Sequence, residues 1–182
     1  MLISKVQTMP RSCSLICFSL GMNHETKAKS NFPNVRTLNT LLRGCLWSAA
    51  TLSDNDKMVG GVITAESAWK RYKSLNIADK TFDISSYEYS VTLLCQALRV
   101  DDAIARISEM KLAFDVSEHQ KDFLSSDDQS LAEGLAVVYC ALARAYTVMK
   151  KREAAISACK SSLHFAQVSK DALKSNTSFS SK

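Results

Sequence analysis

Five glycines and two prolines punctuate 182 residues, too few turn-makers for a sandwich or barrel of many short strands, and too few for a low-complexity linker. The six cysteines (Cys13, Cys17, Cys45, Cys95, Cys140, Cys159) include no Cys-x-x-Cys pair and have no histidine at ligand spacing, so no zinc site is expected. Cys45, Cys95, Cys140 and Cys159 fall on apolar helical stripes and are expected as small buried hydrophobes in a reducing compartment. No stretch approaches the ~18 consecutive apolar residues of a membrane-spanning helix, and Cys13 to Met22 is the nearest. No membrane partner is expected.

Acidic residues are scarce at the front. Residues 1–53 carry Lys5, Arg11, Lys27, Lys29, Arg36 and Arg43 against Glu25 alone, whereas the remainder balances 17 against 17. The first 24 residues hold Lys5, Arg11 and four serines with no acid, the composition of an organelle transit peptide. A leftover helix and a short secretory signal are the rival readings of residues 1–32, and the cysteine usage argues against secretion. A mitochondrial or plastid location is expected, otherwise an intracellular one.

Catalytic motifs are also missing. There is no Gly-x-Ser-x-Gly, no Gly-rich phosphate loop and no His-Glu-x-x-His, and His24, His119 and His164 are scattered. Neither an enzyme nor a bound cofactor is expected. Asp101-Asp102 and Asp127-Asp128 sit at expected helix starts, where acids complement the helix dipole. The run Lys150-Lys151-Arg152 reads first as a solvated turn, with phosphate contact as the lesser alternative.

What is present is helical periodicity. Leu38, Leu41, Leu42, Cys45 and Leu46 follow i, i+3, i+4, i+7, i+8, and Ala65, Ala68, Trp69, Tyr72 and Leu75 repeat the stripe. Val91, Leu94, Cys95 and Leu98 precede Val100, Ala103, Ile104, Ile107 and Met110. Leu135, Val138, Tyr139, Leu142, Tyr146 and Met149 precede Ala155, Ala158, Cys159, Leu163 and Ala166. Six helices therefore form three hairpins. Asn34 to Thr37 and Asp83 to Ser86 supply cap oxygens, and Ser130 with Glu133 has capping-box spacing.

The hairpins repeat. Tyr87 precedes Ala103 by the same interval that separates Tyr139 from Ala155, and Leu38 precedes Ala68 by 14 more. That excess is assigned to a polar loop at about 49–63, AATLSDNDKMVGGVI. The expected organisation is repeat 1 over 33–83 with that insertion, repeat 2 over 84–118, a linker at 119–129, repeat 3 over 130–170 and a flexible tail at 171–182.

PNVRTLNTLLRGCL (33–46) with TAESAWKRYKSLNIADKTFD (64–83), and SSYEYSVTLLCQALRVDDAIARISEM (85–110), resemble pentatricopeptide repeats. YCALARAYTVMKKREAAISACKSSL (139–163) also resembles tetratricopeptide repeats. The resemblance covers roughly 33–170 and implies an all-α fold, helical-hairpin repeats stacked as a short right-handed α-solenoid. It implies single-stranded RNA binding and organelle RNA processing, at about one base per repeat. By its register Asn39 and Asp83 form the base-reading pair of the first unit, a combination that favours uracil, and Arg36 and Ser85 flank the base. In the second unit the same positions are Glu88 and Glu118, with Asp115 as the alternative end, and acids there repel phosphate. The third offers Cys140. Two further readings remain open: a tetratricopeptide-like scaffold with a protein partner in its concave groove, and a fragment of a longer enzyme-bearing chain.

Overall fold

A computed structural model describes residues 34–51, 55–75, 82–116 and 126–179. Its helices are α1 (Val35–Thr51), α2 (Asn55–Ser74), α3 (Ile84–Gln96), α4 (Val100–Ala113), α5 (Ser126–Val148) and α6 (Arg152–Phe179). No strand occurs among the described residues, so the chain is all-α. All six helices lie in one compact unit, Val35–Lys182. The transit-peptide or leftover-helix segment 1–32 lies outside the described residues.

Each helix pairs with its successor as α1–α2, α3–α4 and α5–α6. The first helix of a hairpin also packs against both helices of the hairpin before it: α3 meets α1 and α2, and α5 meets α3 and α4. Among the described residues, the first and third hairpins do not pack together. Such a nearest-neighbour stack is the architecture expected of helical repeats.

Local chemistry sets the helix ends. Asp83 caps α3, its carboxylate accepting from the Ser86 backbone N–H at 2.8 Å. The C-terminal ends of α3, α4 and α5 share one device: Leu98, Asp115 and Lys150 adopt φ of 56°, 50° and 60°. Around each, two backbone bonds reach back into the final turn, as in Arg99 N–H to Leu94 O and Leu98 N–H to Cys95 O. Left-handed residues in these turns are normally glycine, and none is glycine here. Leu98, expected on the α3 stripe, therefore ends the helix and is partly exposed.

Aromatic side chains of α2 and α3 cluster around Phe82. Trp69 stacks on Phe82 at 4.0 Å, and Tyr72 and Tyr87 approach Phe82 edge-on. Buried Arg106 of α4 places its guanidinium 3.9 Å from the Trp69 ring centroid and bonds Glu66 of α2 at 3.0 Å. Burial, with Glu109 adding to it, pushes the Tyr87 hydroxyl up to about 12. Where α5 crosses α3 and α4, a Cβ on Gly134 would overlap Ile84 Cγ2 and stand 3.0 Å from Glu88 Oε1. Only glycine permits that approach without a shift.

Several sequence expectations are corrected. The loop at 49–63 is helix on both sides of residues 52–54: α1 runs to Thr51 and α2 starts at Asn55, with Gly60 and Gly61 inside it. The excess of 14 lengthens helices, since α1 is four residues longer than α3, and Ala68 lies ten residues deeper in α2 than Ala103 does in α4. Buried Val62 extends the α2 stripe upstream of Ala65, and that packing outweighs the low helix propensity of the glycines. The expected linker 119–129 gives its last four residues to α5, and the expected tail is helical through Phe179 because buried Ser169 and Ala172 continue the α6 stripe.

Of the cysteines, Cys95 is buried, its thiol pushed up to about 12 by burial, and Cys45 is half-buried. Cys140 and Cys159 are exposed, as is Leu163, because they lie outside the strips of α5 and α6 that pack together. Among the described residues one helix, Gln129–Val148, is long and apolar enough to cross a membrane by length and composition. It packs against α3, α4 and α6, the environment of a core helix.

Candidate nucleic-acid interface

The α1–α3 contact builds the site. Asn39 occupies the second turn of α1, and Asp83 immediately precedes α3. Packing of these helices brings them together across 44 residues of sequence: Asn39 Nδ2 donates to Asp83 Oδ1 and Oδ2 at 2.9 and 2.8 Å. Ser86, fully buried in the first turn of α3, completes the cluster. Its Oγ lies 2.7 Å from both Asn39 Oδ1 and Asp83 Oδ1, so its proton is donated to one of them or shared.

The network fixes the Asn39 amide at both ends, its nitrogen toward the carboxylate and its oxygen toward the hydroxyl. A donor and an acceptor with a set orientation can address a planar group that presents the complementary pair. Asp83 holds three roles at once, as helix cap, amide partner and local negative charge. Sequence register found Asn39 and Asp83. It missed Ser86, whose sequence signal is only that of a small polar residue near a helix start.

Of the other site residues, Arg36 and Ser85 lie close by along the chain. Arg36 is exposed in the first turn of α1, and Ser85 is half-buried beside Ser86. Glu88 is half-buried one turn further along α3; burial, then the charges of Asp83 and Glu133, raise its carboxyl above the usual range. Asp115 is exposed in the turn after α4. Glu118 lies outside the described residues. Cys140, at the position of Glu88 in the third hairpin, is exposed. No cluster of three metal-ligating side chains occurs among the described residues.

Compared with family models, with curated proteins and with solved structures, the chain matches none.

Proposed function

We propose that the chain binds single-stranded RNA through the α1–α3 face, in the manner of the pentatricopeptide repeats its sequence resembles, and serves organelle RNA processing. The observation that carries the reading is the Asn39–Asp83 hydrogen bond. Two residues selected by repeat register alone meet across a hairpin boundary, and the carboxylate orients the amide. Uracil presents an N–H flanked by carbonyls, a pattern that an amide held this way complements. In this reading Arg36, exposed one turn before Asn39, stacks on a base or reaches phosphate.

Only the first unit has this chemistry. Glu88 in the second repels phosphate, and Cys140 in the third is weakly polar, so binding is weak unless a partner extends the surface. The acids Asp83, Glu88 and Glu133 lie near enough to interact, which favours the second reading, a scaffold whose groove holds a protein partner.

Titration with labelled homopolymers over a salt series tests the proposal. Asn39→Ala is expected to weaken oligo(U) binding more than other homopolymers, by the roughly 1–3 kcal/mol of a good base contact. Arg36→Ala is expected to weaken all of them alike and flatten the salt dependence. Glu88→Asn is expected to strengthen binding. Absence of RNA binding at low salt in both the parent and Glu88→Asn would turn the reading over to the scaffold.

A further inference from the structure

The hairpins share one way of receiving their neighbour: the first helix of the next hairpin seats in the groove between the two helices of the last. Thus α3 seats on α1 and α2, and α5 seats on α3 and α4. The third hairpin has a cavity of about 540 Å³ where the end of α5 meets the start of α6, lined by Thr147 and Lys150 and otherwise by α6. Among the described residues, no helix seats in it.

Register relates the cavity to hairpin 2, because hairpins 2 and 3 align from Tyr87 on Tyr139 through Leu98 on Lys150, both left-handed turn residues; the counterparts of Ala155 and Cys159, Ala103 and Ile107, are buried there, whereas those of Lys150 and Ile156, Leu98 and Ile104, stay exposed. Lys111 of α4 lies 5.4 Å from the centre of the Tyr139 ring on the seated α5. Its counterpart on α6 is Leu163, 71% exposed and lining the cavity. Ile156 and Cys159 continue that apolar floor. At the turn end, where hairpin 2 has Leu98 and Val100, hairpin 3 has Lys150 and Arg152, and Lys160 adds a third cation to the rim. Among the described residues, no carboxylate lines the cavity.

We propose that this groove docks an amphipathic helix of a partner protein, its apolar ridge on Ile156, Cys159 and Leu163 and its flanking carboxylates against Lys150, Arg152 and Lys160. The stack argues for a helix, since in each of the other hairpins both helices receive the first helix of the next hairpin. The charge argues for an acidic one. A second copy of this chain fits poorly: the helix it would insert in register is α1, which carries Arg36 and Arg43 and no acid. The proposal is independent of RNA binding on the α1–α3 face.

The test uses two designed helical peptides of about 20 residues, long enough to hold a helix. Both have leucine at i, i+3, i+4 and i+7; one carries glutamates beside that ridge and the other lysines. Fluorescence anisotropy with the full chain is expected to show the glutamate peptide binding at least about ten-fold tighter. Bound peptide is expected to slow alkylation of Cys159. Leu163→Glu, at an exposed position that leaves the core intact, is expected to weaken binding about ten-fold or more. The double variant Lys150→Glu/Arg152→Glu is expected to invert the preference between peptides.

Failure of the glutamate peptide to bind, equal binding of the two peptides, or no effect of Leu163→Glu would overturn the proposal. So would a parent chain that self-associates in sedimentation and becomes monomeric with Leu163→Glu, which makes a second copy the occupant. Loss of homopolymer RNA binding in the charge-reversed variant, with peptide binding unchanged, would assign the rim to RNA instead.

Discussion

Glu88 is where the second unit departs most from the first, and its surroundings make its charge a liability to folding. Burial and the nearby charges of Asp83 and Glu133 favour the protonated carboxyl, so the folded chain binds that proton more tightly than the unfolded chain does. The destabilisation is present in full above the raised pKa. It fades as the pH falls through that value and is gone below the ordinary glutamate pKa of about 4.3. Glu88→Gln keeps the shape and removes the charge, so it is expected to raise the denaturation midpoint at pH 7 and to lose that advantage near pH 4. An equal gain at both pH values would show that charge is not the cause. Of this neighbourhood, Asn39, Asp83 and Glu88 were legible in the sequence because repeat register marks them. Ser86 was not, because its hydroxyl gains its role from Asn39, 47 residues away, and only the seating of α3 on α1 brings the two together. Cys140, Cys159 and Leu163 were misplaced for a related reason: spacing gives the period of a stripe but not how far around the helix the neighbour reaches.

At the scale of elements, periodicity located the six helices of the described residues, and it failed at ends where the usual end-marking residues mislead. Gly60-Gly61 inside a polar stretch reads as a loop, yet α2 passes through both. Conversely the real turns after α3, α4 and α5 carry Leu98, Asp115 and Lys150 in the left-handed conformation, where glycine would have announced them. The first hairpin gives a direct check. A Cβ on Gly60 would meet nothing within 4 Å, and one on Gly61 would meet only the Cys45 carbonyl at 3.8 Å, an ordinary contact. Replacing both by alanine removes the helix penalty of glycine, up to about 1 kcal/mol each. Gly60→Ala/Gly61→Ala is therefore expected to stabilise the chain by about 1–2 kcal/mol in urea denaturation. A change near zero would restore the loop.

For the whole molecule, the stack makes stability a matter of hairpins and the interfaces between neighbours. The second hairpin is central, since α3 touches α1, α2, α4 and α5, whereas among the described residues α6 packs on α5 alone. What joins the third hairpin to the rest is the seating of α5 on α3 and α4, and Gly134 lies within it, with Ile84, Glu88 and Met110 around the missing side chain. Alanine at an exposed helix site would gain up to about 1 kcal/mol over glycine, but here the added methyl must push Ile84 aside, and overpacking costs about 1–3 kcal/mol. Gly134→Ala is thus expected to be destabilising on balance. Gly134→Leu, a larger wedge, is expected to separate the third hairpin from the first two, so that unfolding followed by peptide-resolved hydrogen exchange shows α5 and α6 opening at lower urea than α1 to α4. The extended α5–α6 pairing and the Arg106, Trp69 and Tyr87 cluster lie on opposite sides of that interface, and each is expected to persist while the other opens. If both sets of helices lost protection together in Gly134→Leu, the chain would be a single cooperative unit and the nearest-neighbour description would be wrong.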